Sequence, residues 1–453
     1  MGEKGQLTTF EQAMKSTRRD SIDFFRKHVN PEEASLLKLA NVDKMYTRAL
    51  GTRLWDEEGK EYLDFTAGYG ALNLGHNNPE VLAAVREAAS LPSVLLAGYN
   101  PLMGALARNL SMILPGELSH TSFGSGGAEA VELALKTARA STGRKKFVSC
   151  ANGYHGLSFG ALSVGGAERY CEALGPFLNG CETVPFADLP ALEEKLRGRD
   201  VAGFIVDPIQ GEGGAIVSPE GYLKGVEEVC RKYGTLLILD EIQTGFGRTG
   251  KLFALEHDRV TPDIITLSKS LGGGVVPISA SVTTEDIWKS AFGKRDRFDL
   301  VVSTFGGHAA ACAAALKAIE IALREDLPGK ADELGRYSMK RLEELKSKHR
   351  AIKEIRGKGL LLGIELESPR IPGANMDENY SAMVISRLLN DHRILTSYYD
   401  LDTKVVRFEP PLIVTKQEID LAVEAIDDVL GRRTSGLVLS FGKSVMSRMV
   451  NPP

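Results

Sequence analysis

The sequence predicts an α/β protein: a large domain on a mainly parallel sheet of seven strands, followed by a smaller α+β domain. Three observations carry this. Several short runs are apolar throughout, Leu236-Leu237-Ile238-Leu239 being the clearest, as in strands covered on both faces. Such runs alternate with amphipathic stretches over about two hundred residues, the signature of parallel strands joined by helices. Beyond about Glu325 the pattern changes to charged amphipathic helices with a few strand-like pieces.

Taken in order, the first segment, residues 1–75, holds a helix near Thr17–His28 and a hairpin across Leu54–Phe65, with a turn signal at Glu58-Gly59. It is expected to pack with the C-terminal domain. The large domain, residues 76–325, supplies seven candidate strands: Thr121–Phe123, Lys146–Cys150, Glu182–Pro185, Gly203–Asp207, Thr235–Asp240, Ile264–Ser268 and Ile278–Val282. Amphipathic helices at Glu129–Ala140 and Leu223–Tyr233 lie between them. The small domain, residues 326–453, reads as helices at Ala331–His349, Ser381–Asn390 and Lys416–Gly431, with strands at Gly359–Glu365 and Val405–Phe408. Its apolar piece Leu437–Phe441 is too short for a bilayer and is expected to pack on the body or on a partner subunit.

The balance of residues narrows the function classes. With 43% hydrophobic and 25% charged residues in 453, the chain has an ordinary globular composition. A net charge of −4 offers no electrostatic reason for nucleic acid or an anionic membrane as partner. The five cysteines stand at scattered spacings without a CxxC pair, which suggests neither a disulfide framework nor a zinc knuckle. The eight histidines show no ligand spacing, so no metal is expected. With no signal-peptide pattern and no membrane-length apolar run, a cytoplasmic protein is expected.

Ligands of open parallel sheets bind beyond the carboxyl ends of the strands. At those ends this chain carries Asp240, then Lys269, and a glycine-rich helix start, Gly126-Gly127-Ala128. An acid, an amine and an anion-binding helix end on one rim suit pyridoxal phosphate. The lysine amine condenses with the cofactor aldehyde and then serves as proton shuttle. The carboxylate keeps the pyridine nitrogen protonated, and the helix start offers N–H groups to the phosphate. A competing signal, Gly245-Phe246-Gly247-Arg248-Thr249-Gly250, matches the dinucleotide pattern GxGxxG but opens no long helix before Pro262. No phosphate P-loop is present.

The run Leu239-Asp240-Glu241-Ile242-Gln243-Thr244-Gly245-Phe246-Gly247-Arg248-Thr249-Gly250, with Pro262-Asp263-Ile264 and Ser268-Lys269-Ser270-Leu271-Gly272-Gly273-Gly274, closely resembles class III aminotransferases of fold type I. The resemblance extends from about Asp23 to Asp428. Within the class it is most similar to putrescine (diamine) aminotransferases, through Phe24-Phe25-Arg26-Lys27-His28-Val29-Asn30-Pro31 and Asp207-Pro208-Ile209-Gln210-Gly211-Glu212-Gly213-Gly214. It implies that Tyr154, followed by His155 among the cofactor-binding residues, stacks on the pyridine ring, and that Gln243 bonds the phenolic oxygen. Thr304 would reach the phosphate of the neighbouring subunit, which implies a homodimer with shared active sites and leaves open a tetramer. Arg407 would bind the oxo-acid carboxylate, with Glu212 pairing it when no carboxylate is there. Tyr69 would line the donor pocket.

Four departures stand out. Ser125-Gly126-Gly127-Ala128 replaces the family's Asn-Ser-Gly-Thr, so phosphate binding should lean on backbone N–H groups and Thr304, with looser cofactor retention. Asp207-Pro208 replaces Glu-Pro, and His308 follows Gly306-Gly307 in place of Asn. Leu157-Ser158 after His155-Gly156 lacks the arginine typical of ornithine and acetylornithine enzymes. The expected activity is ping-pong transfer from putrescine, cadaverine or a related terminal amine to 2-oxoglutarate or pyruvate. The alternatives are an ω-amino-acid or acetylornithine/ornithine donor, or an aldehyde intermediate of secondary metabolism. Outside the class stand a decarboxylase, an aminomutase, or a non-catalytic protein of this fold.

Overall fold

A computed structural model of the chain describes residues 7–368 and 379–432; the apolar piece Leu437–Phe441 lies outside them. After a one-turn helix, Phe10–Ala13, the chain forms the helix Arg18–His28, capped by Thr17, and makes β1 (Tyr46–Leu50), β2 (Arg53–Asp56) and β3 (Glu61–Asp64). The β2–β3 turn falls at the expected place, where Gly59 takes the left-handed φ of +76°. The strands β4 (Leu118–Gly124), β5 (Lys146–Cys150), β6 (Cys181–Val184) and β7 (Val201–Val206) follow. A short hairpin, β8 (Ile209–Gln210) and β9 (Ile216–Val217), precedes β10 (Leu236–Asp240), β11 (Ile264–Leu267) and β12 (Ser279–Thr284). The C-terminal part adds β13 (Ile352–Lys358), β14 (Leu361–Leu366), β15 (Ile394–Leu395), β16 (Tyr398–Tyr399) and β17 (Asp402–Phe408).

The central sheet has seven strands in the order β4-β12-β11-β10-β7-β5-β6. The five strands from β11 to β6 pair in parallel, while β12 runs antiparallel to both β11 and β4. Both faces are covered, which explains the continuous apolar runs. In β10, Leu237 and Leu239 enter one buried cluster while Ile238 enters the other. Fully burying one such side chain contributes about 1.5–3 kcal/mol. The helices Gly127–Thr142 and Tyr222–Tyr233 cover the sheet close to their expected ranges.

A second, antiparallel sheet runs β13-β14-β17-β16. It packs under the helices Leu327–Lys348, Tyr380–His392 and Lys416–Gly431, whose buried faces share a core with Leu63, Phe65 and Leu74. The first three strands meet this part directly, since β15 pairs in parallel with β3 through Ile394 and Leu63. Two elements lacked a readable signal. The helix Ala309–Arg324 is alanine-rich and buried on most sides, and its polar stripe of Lys317, Glu320 and Arg324 begins only in its C-terminal half. In β13 the charged Lys353, Glu354 and Arg356 outnumber the apolar residues.

Candidate active site

The parallel pairing of β10 with β11 sets Asp240 opposite Thr266, and Lys269 follows three residues later at the same sheet edge. Asp240 is buried at 3% exposure. Its Oδ1 accepts from Thr266 Oγ1 at 3.0 Å and from the Ile242 N–H at 3.1 Å. Its Oδ2 lies 2.7 Å from His155 Nδ1. Lys269 sits in the left-handed region at φ +44°, a conformation that costs a lysine energy and is held by its surroundings. Burial is the largest influence on its amine and lowers its pKa, against the opposing pull of Glu212 and Glu409. That raises the fraction of neutral, nucleophilic amine.

The helix Gly127–Thr142 opens after Gly126 with no side-chain cap, so the first-turn N–H groups are available to an anion. A Cβ on Gly127 would stand 3.2 Å from Ile242 Cδ1, which ties this helix start to the segment after Asp240. Ala128 fills the space against Gly156, where an added Cβ would come within 2.6 Å of it. Gly211 makes room for Gln243, whose Oε1 would be 1.8 Å from a Cβ there. Tyr154 is half-buried after β5. Its neighbour His155 is buried behind Asp240, and His155 Nε2 and Asp207 Oδ2 are both buried without a partner, 3.9 Å apart. Burial is the largest influence on His155 and acts downward, but Asp207 and Asp240 outweigh it and raise the imidazole pKa. Burial pushes Asp207 up to about 7.

On the opposite wall Arg407 is 1% exposed. Its Nη2 bonds Glu212 Oε2, its Nη1 donates to Glu409 Oε2 at 2.9 Å, and its guanidinium lies over Tyr399 at 4.0 Å and Tyr69 at 4.5 Å. Asp240, Glu212 and Arg407 all act electrostatically on Lys269, so the two walls share one site. Thr304 is exposed in the loop before the helix Ala309–Arg324. Among the described residues, His155, Asp207 and Asp240 are the one group with ligand atoms within 4.8 Å of one another; His155 Nδ1 is already engaged by Asp240.

The donor set fits pyridoxal phosphate. It combines an amine of depressed basicity, a buried carboxylate for a ring nitrogen, an uncapped helix start for a phosphate and an amide at Gln243. Glu409 and Arg248 were not singled out from sequence. The signal for Glu409 was there, since it stands two residues beyond Arg407 in an extended stretch and so faces the same side. The glycine-rich motif has a structural use: Phe246 and Gly247, at φ +57° and +99°, turn the chain and send Arg248 into the interior.

The family model described as aminotransferase class-III matches residues 38–430. The aminotransferase PigE of Serratia sp. (strain ATCC 39006) is 37% identical over 92% of this chain, and the chain spans only 54% of that protein's length. The ornithine aminotransferase of Toxoplasma gondii is similar over 94% of this chain and 98% of its own, at 36% identity and a TM-score of 0.83. Another crystal structure of that enzyme is described with partial occupancy of PLP at its active site. An (S)-enantioselective ω-transaminase from Thermomicrobium roseum shares 33% identity over 86% of this chain and 92% of its own, with a TM-score of 0.79.

Proposed function

The chain belongs to the class III aminotransferases, and on that premise we propose that it moves the amino group of a terminal amine, such as putrescine or cadaverine, to 2-oxoglutarate or pyruvate in a ping-pong cycle. The cofactor of this family, PLP, supplies when bound an electron sink for the charge left as the substrate carbon loses its proton. In this reading Lys269 takes that proton and returns it, and its lowered pKa raises the share of neutral amine for the task. Asp240, backed by His155, holds positive charge at the ring nitrogen. The N–H groups of Gly126, Gly127 and Ala128 hold the phosphate, Tyr154 covers the ring and Gln243 donates to its phenolic oxygen.

The observation that carries the donor class is the buried pair Arg407–Glu212. With Glu212 in place, the pocket beside Tyr69 presents a neutralised guanidinium and accepts an amine that has no carboxylate at its reacting carbon. With Glu212 displaced on its glycine-flanked turn, Arg407 is the bidentate partner for an α-oxo acid. The likeness to an ornithine aminotransferase favours ornithine as second donor, because its terminal amine also reacts at a carbon without a carboxylate.

The same proposal includes a homodimer with shared sites, Thr304 reaching the partner's phosphate. Its support is the exposed face made by Leu95, Leu96, Tyr99, Leu300, Val302 and Phe305, whose two loops are tied by Asn100 Nδ2 donating to Gly307 O at 3.2 Å. Among the described residues no helix is long and apolar enough to cross a membrane. The thiols of Cys150, Cys181, Cys230 and Cys312 are free, which supports a reducing cytoplasm.

The test is a half-reaction on cofactor-loaded protein. Putrescine, ornithine, acetylornithine and 4-aminobutyrate are each added without acceptor while the cofactor's absorption band is followed. Bleaching by putrescine, reversed by a later oxo acid, is expected. Bleaching by the carboxylated donors alone would move the enzyme to an amino-acid branch.

A further inference from the structure

The wall around Arg407 holds four buried charges. Glu409 is fully buried. It accepts from Arg407 Nη1 at 2.9 Å and from Gln243 Nε2 at 3.1 and 3.3 Å, and Arg248 Nε lies 3.8 Å from its other oxygen. Arg248, also fully buried, otherwise donates to neutral acceptors: Leu360 O at 3.0 Å, Pro410 O at 2.6 Å and Asn73 Oδ1 at 2.6 Å. Among the described residues Glu409 is the one carboxylate within ion-pair reach of it. An unpaired charge at that depth would be costly.

We propose that Glu409 is a specificity-determining residue: by cancelling Arg248 it lets Glu212 alone set the charge that the pocket presents. With Glu212 on Arg407, two guanidinia face two carboxylates and the cluster is neutral, which suits an uncarboxylated amine. With Glu212 displaced, the cluster carries a single positive charge, which suits one carboxylate. Lys269 and Asp240 are common to both states and drop out of the comparison. Without Glu409 the cluster would be positive even with Glu212 in place, and carboxylated donors would enter the first half of the cycle. Glu409 also holds the Gln243 amide, so the clamp and the cofactor-facing wall share one anchor. This inference rests on the reading of Arg407 as carboxylate clamp.

The test is calorimetric titration of the holoenzyme with glutarate, an unreactive dicarboxylate. Removing one buried charge from the cluster is expected to change affinity by about tenfold. Glu409→Gln should bind glutarate more tightly and Arg248→Gln more weakly, while Glu409→Asp, which keeps the charge, stays near wild type. Opposite signs are the diagnostic, because damage to packing alone would weaken binding in both variants. If Glu409→Gln fails to fold, Glu409→Ala, which also removes the charge, is read in its place and should likewise tighten glutarate binding. Equal or same-sign shifts overturn the role of Glu409. Arg407→Gln separates the two readings: if it leaves glutarate binding intact, the clamp itself is wrong; if it abolishes binding while Glu409→Gln changes nothing, only Glu409 is misassigned.

Discussion

Replacing Asp207 by Glu should stabilise the protein, and the gap behind Asp240 says by how much. His155 Nε2 and Asp207 Oδ2 are buried, unpartnered and 3.9 Å apart. That is too long for a direct hydrogen bond, and too short for a water bridge, which needs partners about 4.5 Å apart. One added methylene brings the carboxylate forward by about 1.5 Å, into bonding range. The missing side chain of Gly153, whose Cβ would sit 3.5 Å from Asp207 Oδ2, leaves some room. A charged hydrogen bond contributes about 1.5–3 kcal/mol, and crowding from the added atoms offsets part of it, about 1 kcal/mol at the low end of overpacking costs. A net gain of about 0.5–2 kcal/mol follows, a midpoint rise of about 0.5–2 °C in thermal unfolding at one scan rate. The pH sense is fixed by linkage. The His155 pKa is raised in the folded state, so its ion-pair contribution is lost as pH rises through that raised value, and it is lost again below about 7, where the buried carboxylate takes a proton. The gain should be larger at about pH 7.5 than at about pH 10. No gain at either pH would refute the reading of the gap; an equal gain at both would assign it to packing and not to charge.

Two further changes test the close approaches. Gly335→Ala puts a Cβ 2.3 Å from Gly359 O inside the helix Leu327–Lys348; despite about 1 kcal/mol of better helix propensity, it should destabilise by about 1–3 kcal/mol. Gly104→Ala, with nothing within 4 Å, should instead stabilise by up to about 1 kcal/mol, and the pair of melting curves separates crowding from propensity. Ala128→Thr, beside Gly156, adds a hydroxyl at the helix start proposed to hold the phosphate and should slow cofactor release by about tenfold, the worth of one good hydrogen bond; an unchanged off-rate in a chase experiment would count against it.

What could be read from the sequence is what repeats along the chain. The inner strands β7, β10 and β11 alternate between two buried faces, as Leu237, Ile238 and Leu239 do, so each announced itself as an apolar run. Asp240 and Lys269 stood out because each ends such a run, where sheet geometry gathers ligands. Residues that act through distant partners gave no such sign. Arg248 looked like part of a glycine motif, and only the fold brings it to Pro410 O, Leu360 O and Glu409. Glu409 was not singled out at all, and only the fold makes Arg407, Arg248 and Gln243 converge on it.

The difference has one physical cause. Local order writes a period into neighbouring residues, whereas a buried charge is compensated by whatever the topology delivers, often from far along the chain. Arg407 illustrates both cases at once: its alternation with Glu409 is local, two residues apart, while its pairing with Glu212 spans 195 positions. A charged residue flanked by apolar neighbours, as Arg407 is by Val406 and Phe408, therefore states from sequence that a counter-charge exists, because leaving it unpaired would cost several kcal/mol. It cannot state how many carboxylates share the work. Here there are two, Glu212 and Glu409, and on the proposed role of Glu409 a pocket built from two answers differently to a carboxylate than a pocket built from one.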